Sequence, residues 1–178
     1  MTIDAALSTL LNRDAIRRAL ITLARGEDRR DSALISSALW PDSVTDYGVY
    51  QAGFDDYLAW VVPGAEAITC TQHLLGQSHI ELDGSMAKVE TQVISYHRVT
   101  FAPGDEHDTC IGGRYLDVFE QRGGEWRIAS RKMLYDWSQD WGAAADFSQG
   151  VMGMLFSDPR FAGRAHGDWS VDFFGGGA

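Results

Sequence analysis

From Met86 to Trp137 the sequence reads as three long β-strands in close succession, and few folds accommodate such a run. In the first, Met86 to Phe101, a side-chain period of two sends Val89, Val93, His97, Val99 and Phe101 to one face and Ile94, Tyr96 and Arg98 to the other. Both faces carry apolar side chains, so a central place in a sheet is expected. The second and third, Cys110 to Gln121 and Glu125 to Trp137, meet across Arg122-Gly123-Gly124, with Tyr115 and Phe119 on one face of the second. Asp83-Gly84 is a further hairpin signal, and Ala102 to Asp108 (APGDEHD) reads as an exposed acidic loop. Strands joined by hairpins pair antiparallel, and the sheet they make needs a second layer.

The residues in front supply that layer. Asp4 or Thr2 can cap a short helix through about Leu11, and Asn12 or Asp14 can begin a second that runs to about Arg30. Ile16, Leu20, Leu23 and Glu27 fall on one stripe of the longer helix, with Asp28 at its margin. Glu27 therefore stands where an apolar residue is expected. Either it or Asp28 is drawn inward, where a carboxylate needs a partner to stay charged, or the stripe simply ends. A further helix starts at Asp31 or Ser32, buries Leu34, Ile35, Ala38 and Leu39, and stops at Trp40-Pro41. Ser43 to Tyr50 alternates as a strand whose tyrosines, Tyr47 and Tyr50, could offer hydroxyls to a ligand. Phe54 to Val62 has helical spacing and ends at Pro63-Gly64.

Next comes TCTQHLLGQSHIEL, Thr69 to Leu82, a strand with a histidine among apolar residues. His73 and Leu75 share a face, but Ile80 and Leu82 fall out of parity with them unless a residue is inserted, and Gly76 is the natural site for a bulge. A bulged strand bends, and a bent sheet can enclose a pocket with His73 on its concave side. An imidazole there is near enough to neutrality to act as a base; the other reading is a core histidine hydrogen-bonded to a backbone carbonyl. Arg131 is an internal basic position in the last strand, suited to neutralising a substrate oxyanion or to pairing with Asp117 or Asp136. Beyond Ser138 the composition shifts to Gly, Ala, Phe and Trp; a helix is expected from about Phe147 to Phe156, followed by a loosely ordered tail with Trp169, Phe173 and Phe174.

A formal charge of -10 argues against nucleic-acid or anionic-membrane partners, which reward Lys and Arg. No apolar run approaches the roughly 20 residues of a membrane span. The N-terminus lacks the basic start and apolar core of a signal peptide, and Cys70 and Cys110 alone make no disulfide framework, so a cytoplasmic protein is expected. Cys70 and His73 stand at a spacing seen in zinc sites, but strand parity sends them to opposite faces and no second ligand pair is evident, so no metal is expected.

Taken in order, EDRRDSALI with Asp28, WPDSVTDYG with Tyr47, TQHLLGQ with His73, the ISYHRV strand and the ending GGRYLDVFEQRGGEWRIASRKMLYDW resemble the SnoaL-like, scytalone-dehydratase-like branch of the nuclear-transport-factor-2-like superfamily. The resemblance covers roughly Asn12 to Trp137. It implies an α+β fold, a cone-shaped barrel in which a strongly curved, mostly antiparallel sheet wraps the N-terminal helices. It also implies a division into a domain of residues 1–137 and a C-terminal helix and tail of 138–178 that serves as a pocket lid or a subunit clasp.

For activity, the resemblance implies a cofactor-independent lyase on a small aromatic substrate. His73 would be the general base, Asp28 the carboxylate that orients it, Tyr47 a polarising hydroxyl and Arg131 a basic pocket residue; Tyr50, Tyr115, His97, Phe119 and Trp137 would bind substrate. The dehydratase's second pocket histidine falls near Pro103, its serine and asparagine at Gly113 and Tyr115, and the tyrosine beside its aspartate at Glu27, which speaks against scytalone itself. Loss of water is one implied reaction, and loss of formaldehyde from a lignin-derived diarylpropane diol another, with dehydrohalogenation behind them. A cyclase or isomerase using the same pair is an alternative. So are a non-catalytic small subunit of a ring-hydroxylating dioxygenase and an aromatic-ligand-binding module. The branch is rich in homotrimers, and that assembly is expected here.

Overall fold

A computed structural model describes residues 3–64 and 66–175. Thr2, one of the two candidate caps, lies outside them. The apolar stripe of the N-terminal region is carried by one continuous helix, α1 (Ile3–Arg29), rather than two. Asn12 and Asp14 sit inside it, and Asn12 is used sideways: its Oδ1 accepts the indole N–H of Trp126 at 3.1 Å. Only the second half of the helix is packed. Ile16, Leu20 and Leu23 are buried, whereas Leu7, Leu10 and Leu11 stand exposed.

Helix α2 (Ser32–Ala38) turns back against the end of α1, and Asp31 caps it by accepting the N–H groups of Ala33 and Leu34 at 2.9 and 3.0 Å. Between the helices Arg30 takes a left-handed conformation (φ 51°). Close approach depends on Gly26, where an added Cβ would lie 2.8 Å from Ile35 Cγ1 and 2.9 Å from its backbone nitrogen. Strand β1 (Leu39–Asp46) begins four residues earlier than its alternation suggested, and Trp40-Pro41 lies inside it. Tyr47 to Tyr50 are consequently a turn, with Gly48 at φ 73°, before β2 (Gln51–Gly53) and α3 (Phe54–Val61).

The remaining strands are β3 (Ile68–Asp83), β4 (Met86–Ala102), β5 (Asp105–Arg122) and β6 (Glu125–Ala143). They form one sheet in the order β2-β1-β6-β5-β4-β3, antiparallel except for the β1–β6 pair. The acidic loop shrinks to Pro103-Gly104, because Asp105 to Asp108 are already paired with β4; Arg98, for instance, meets Asp108 at 2.9 Å. The hairpin turn of β3–β4 is Gly84-Ser85, one residue beyond the Asp83-Gly84 expected.

Register slips by one between Leu75 and Ser78, beside Gly76, so the bulge expected from parity is present. It lets Leu75 and Leu82 both pack toward the same core as Ile80. Helix α1 packs on both β3 and β6, strands separated by β4 and β5, which requires the sheet to curl around it. The sheet stays open, with β2 and β3 as its edges. The core, including Ile16, Leu23, Ile35, Tyr57, Phe119 and Ile128, fills the space between α1 and the concave face.

Past Ala143 no α-helix forms at Phe147–Phe156. Phe147–Gln149 is a single 3-10 turn, followed by a bridge between Val151 and Met154; glycines at 150 and 153, both with positive φ, interrupt the helical spacing. A later α-helix, α4 (Trp169–Gly175), lies near the end of α1, where Arg29 Nε donates to Ser170 Oγ at 3.2 Å.

The Gly26 contact yields a prediction in which two effects oppose. Alanine raises helix propensity by about 1 kcal/mol, while overpacking a tight contact costs about 1–3 kcal/mol. With backbone among the clashing atoms, the clash wins: Gly26→Ala is expected to lower unfolding free energy by about 1–2 kcal/mol, measured by urea denaturation.

Candidate active site

The register of the sheet decides which side chains face inward. His73 pairs with Ser95, and Thr71 with His97, on the concave side. Leu74 pairs with Ile94, Ile94 with Gly112, and Gly112 with Trp137, on the convex side. The concave row opens on a cavity of about 200 Å³, lined among others by Glu27, Tyr47, Tyr57, Trp60, His73, Ser95, His97 and Tyr115. No residue beyond Tyr135 lines it among those described.

Its centre is the meeting of α1 with β3. Asp28, in the last turn of α1, accepts the backbone N–H of His73 with both carboxylate oxygens at 3.1 Å, and its Oδ1 lies 2.7 Å from His73 Nδ1. A carboxylate that accepts the Nδ1 proton leaves Nε2 as the unprotonated nitrogen of the neutral ring. Nε2 is on the cavity side, 3.8 Å from Glu27 Oε2. Burial by itself would depress the imidazole pKa; the hydrogen bond to Asp28 and the charges of Glu27 and Asp28 outweigh it, so His73 is held above its ordinary 6.5. His97, whose ring stands edge-on to that of His73 at 6.3 Å, is driven the other way, to about 4, by burial and by the charge on His73.

Adjacent positions on α1 divide the work. Asp28 holds the far side of the imidazole and does not line the cavity, whereas Glu27 does. Glu27 is buried, and its Oε1 accepts the hydroxyl of Tyr57 and, at 3.3 Å, that of Tyr47. Arg131 Nη1 lies 3.9 Å from the same oxygen. The other carboxylate oxygen of Glu27, Oε2, is buried without a hydrogen-bond partner among the described residues. Burial raises the phenol pKa of Tyr47 and of Tyr57, and the Glu27 charge adds to it, so both rings stay protonated donors.

Several expected site residues sit elsewhere. Arg131 is buried but does not line the cavity: Nε and Nη2 donate to the two oxygens of Asp117 at 2.8 and 2.9 Å, and its guanidinium covers the Tyr115 ring at 3.8 Å. Asp136, the other candidate partner, pairs with Arg114. Phe119 is on the cavity face of β5, but four residues along from Tyr115 and under the middle of α1, where it is core. Trp137 points outward against Gly112. A register shift leaves Asp136 unpaired between Tyr135 and Trp137, so Tyr135 reaches the cavity and Trp137 does not. Tyr50 packs against Trp60 with the rings tilted and their centroids 4.8 Å apart, and donates to the Asp56 carbonyl, outside the lining.

Tyr115 and His97 do line the cavity, and the Tyr115 hydroxyl has no hydrogen-bond partner among the described residues. Tyr57, Trp60 and Arg30 are lining residues that strand and helix patterns did not single out. Tyr57 lies one position off the Phe54, Leu58 and Val61 stripe of α3, and a second stripe through Tyr57 and Val61 was the available signal. Among the described residues no group of three or more His, Cys, Asp or Glu side chains is placed to hold a metal ion.

Residues 8–132 match the SnoaL-like domain family. In sequence, no curated protein matches the chain. In structure, it is similar to a candidate scytalone dehydratase from Novosphingobium aromaticivorans DSM 12444, at 20% identity and a TM-score of 0.67 over 79% of this chain and 94% of that one. It is also similar to hexachlorocyclohexane dehydrochlorinase LinA-type3 from Novosphingobium barchaimii LL02, at 16% identity and a TM-score of 0.68 over 86% and 99%. A third, a candidate aromatic ring hydroxylase from Novosphingobium aromaticivorans, aligns at 17% identity and a TM-score of 0.65 over 74% and 94%. Likeness of this degree establishes the fold.

The opposed shifts of the two cavity histidines are measurable by NMR titration of the ring resonances. His73 is expected to titrate above pH 6.5 and His97 near pH 4. In Asp28→Asn, which removes the favourable charge and acceptor, the His73 midpoint should fall below its wild-type value. An unchanged midpoint would break the assigned coupling.

Proposed function

The chain belongs to the SnoaL-like domain family, and from that footing we propose that it is a cofactor-independent lyase acting on a small aromatic substrate, with His73 as general base and Asp28 as the group that orients it. One observation carries the reading: a buried imidazole gripped at Nδ1 by a carboxylate 2.7 Å away, with Nε2 turned to an aromatic-walled cavity. Relatives in structure that are described as a scytalone dehydratase and a dehydrochlorinase support the reaction class.

In the proposed reaction Nε2 removes a proton from substrate, and Asp28 stabilises the imidazolium that forms. For dehydration the freed electron pair closes a C=C bond as the neighbouring C–O bond breaks, and the departing hydroxyl takes a proton to leave as water. For the retro-aldol course the proton comes from a hydroxyl, the C–C bond breaks, formaldehyde leaves, and the carbanion is reprotonated; a lignin-derived diarylpropane diol is the substrate type that this course suits. Charge developing on the substrate needs a donor that is not already committed. Tyr47 is turned to Glu27 and Arg131 to Asp117, so Tyr115, with a free hydroxyl under the Arg131 guanidinium, is the proposed donor, and Arg131 acts through it. His97, kept neutral, contributes to the substrate wall with Tyr47.

The same proposal extends to setting and assembly. Cys70 and Cys110 are free thiols, which suits the cytoplasm, and the exposed convex row of Leu74, Ile94 and Trp137 suits burial in a homotrimer. Light scattering on the eluted protein should give the mass of three chains; a monomer would refute the assembly and leave the chemistry standing.

Turnover of aromatic diols and ketols, followed by mass detection of product, tests the chemistry. His73→Ala is expected to lower kcat/KM by about 10²-fold or more, and Asp28→Ala to do likewise, with the fold intact by circular dichroism. Since only neutral His73 can accept a proton, the wild-type rate should climb with pH through a midpoint above 6.5, the direction in which its pKa is shifted. Normal turnover in both variants would exclude the base pair.

A further inference from the structure

Glu27 is a cavity carboxylate that the proton transfer proposed for His73 and Asp28 does not itself employ. Its carboxylate is split between two environments. Oε1 is saturated, receiving two tyrosine hydroxyls with a guanidinium nitrogen 3.9 Å away. Oε2 receives no hydrogen bond among the described residues, although the side chain is only 4% exposed and the atom is covered. A carboxylate oxygen in this condition has lost its water without replacement, an unfavourable state that a ligand donor relieves. It lies 3.8 Å from His73 Nε2, too far for a hydrogen bond between them but close enough for one substrate to meet both atoms.

We propose that Glu27 Oε2 is a hydroxyl-anchoring subsite, so that the substrate is an aromatic compound carrying a free O–H beside the position that His73 deprotonates. The proposal rests on the reading of His73 as base for where the reaction occurs, but not for the binding itself. Direction of the hydrogen bond follows from the groups present. An ionised carboxylate only accepts, so the substrate must donate, and an ether or a carbonyl in the same place would face a bare lone pair. For the same reason the anchored hydroxyl is not the one that leaves as water. A departing hydroxyl needs a proton supplied to it, and Tyr115 is a lining donor whose hydroxyl has no partner among the described residues. Tyr57 and Tyr47 are positioning residues here: by occupying Oε1 they fix the carboxylate plane and leave Oε2 beside His73 Nε2.

A matched pair of aromatic probes tests this without knowledge of the substrate. 2-Naphthol donates an O–H; 2-methoxynaphthalene has nearly the same shape and cannot. Wild-type protein is expected to bind the naphthol about tenfold or more tightly, the preference of a hydrogen bond to a charged acceptor, measured by calorimetry. Glu27→Gln is the informative variant. Its amide oxygen can keep both tyrosine bonds while its NH2 takes the place of Oε2, turning acceptor into donor, and the preference should vanish or invert. A second measurement needs only the wild-type protein. Bound beside a carboxylate, 2-naphthol should ionise at a higher pH than it does free in solution, read from naphtholate absorption. Absent naphthol binding, equal affinity for the two probes, a preference that survives in Glu27→Gln, or bound naphthol ionising at or below its free pH would each overturn the subsite. Failure of the base assignment is separately visible, since His73→Ala would then turn over substrate normally while the probe preference persisted.

Discussion

The site depends on one carboxylate holding one residue twice. Asp28 takes the backbone N–H of His73 with both oxygens and the ring Nδ1 with one of them, which ties the last turn of α1 to the middle of β3. Charge-assisted bonds of this kind are the stronger class, and here they fix position and tautomer together. The ring cannot rotate about its own Cβ without losing Asp28, so Nε2 is aimed at the cavity by the same contact that docks the helix on the sheet. Fold and chemistry share a fastener.

Around that contact the protein keeps an unusual amount of charge out of water. Glu27, Asp117 and Arg131 are all nearly inaccessible. The bidentate Arg131–Asp117 pair meets the general requirement that a buried charge be paired and hydrogen-bonded, although burial still lifts the Asp117 carboxyl above its ordinary range against the lowering effect of Arg131. Glu27 is only half compensated. Clusters of this sort add little to stability compared with apolar packing of the same volume, and they are found where a site needs preorganised electrostatics. Two tyrosines kept protonated, one histidine held above its ordinary pKa and another driven down to about 4 give the cavity a fixed pattern of donors and acceptors before any ligand arrives.

Much of this was legible in the residues. The helical stripe through Ile16, Leu20 and Leu23 ran on into Glu27, and the polar intruder proved to be at the cavity wall. Broken parity after Leu75 placed the bulge at Gly76 and with it the concave side of β3. What could not be read was whatever depends on pairing across the sheet. The acidic run Asp105 to Asp108 looks like a loop until Arg98 and the opposite strand are present to neutralise it. Trp137 was expected among the substrate-binding residues, and nothing local announces the unpaired Asp136 that turns it outward. Phe119 had the right face but the wrong depth, since period-two patterning says which side a residue takes and not how far along the cone it sits. Arg131 illustrates a further limit: a basic residue inside a strand has the same sequence signature whether it serves the substrate or a neighbouring aspartate.

The central claim is that Asp28 takes the proton on Nδ1 and leaves Nε2 bare toward the cavity. Nitrogen-15 NMR of the His73 ring, recorded well above its titration midpoint, reads that tautomer directly. The account requires a protonated Nδ1 and an unprotonated Nε2. A ring found with its proton on Nε2 would contradict it, because no bare ring nitrogen would then face the cavity.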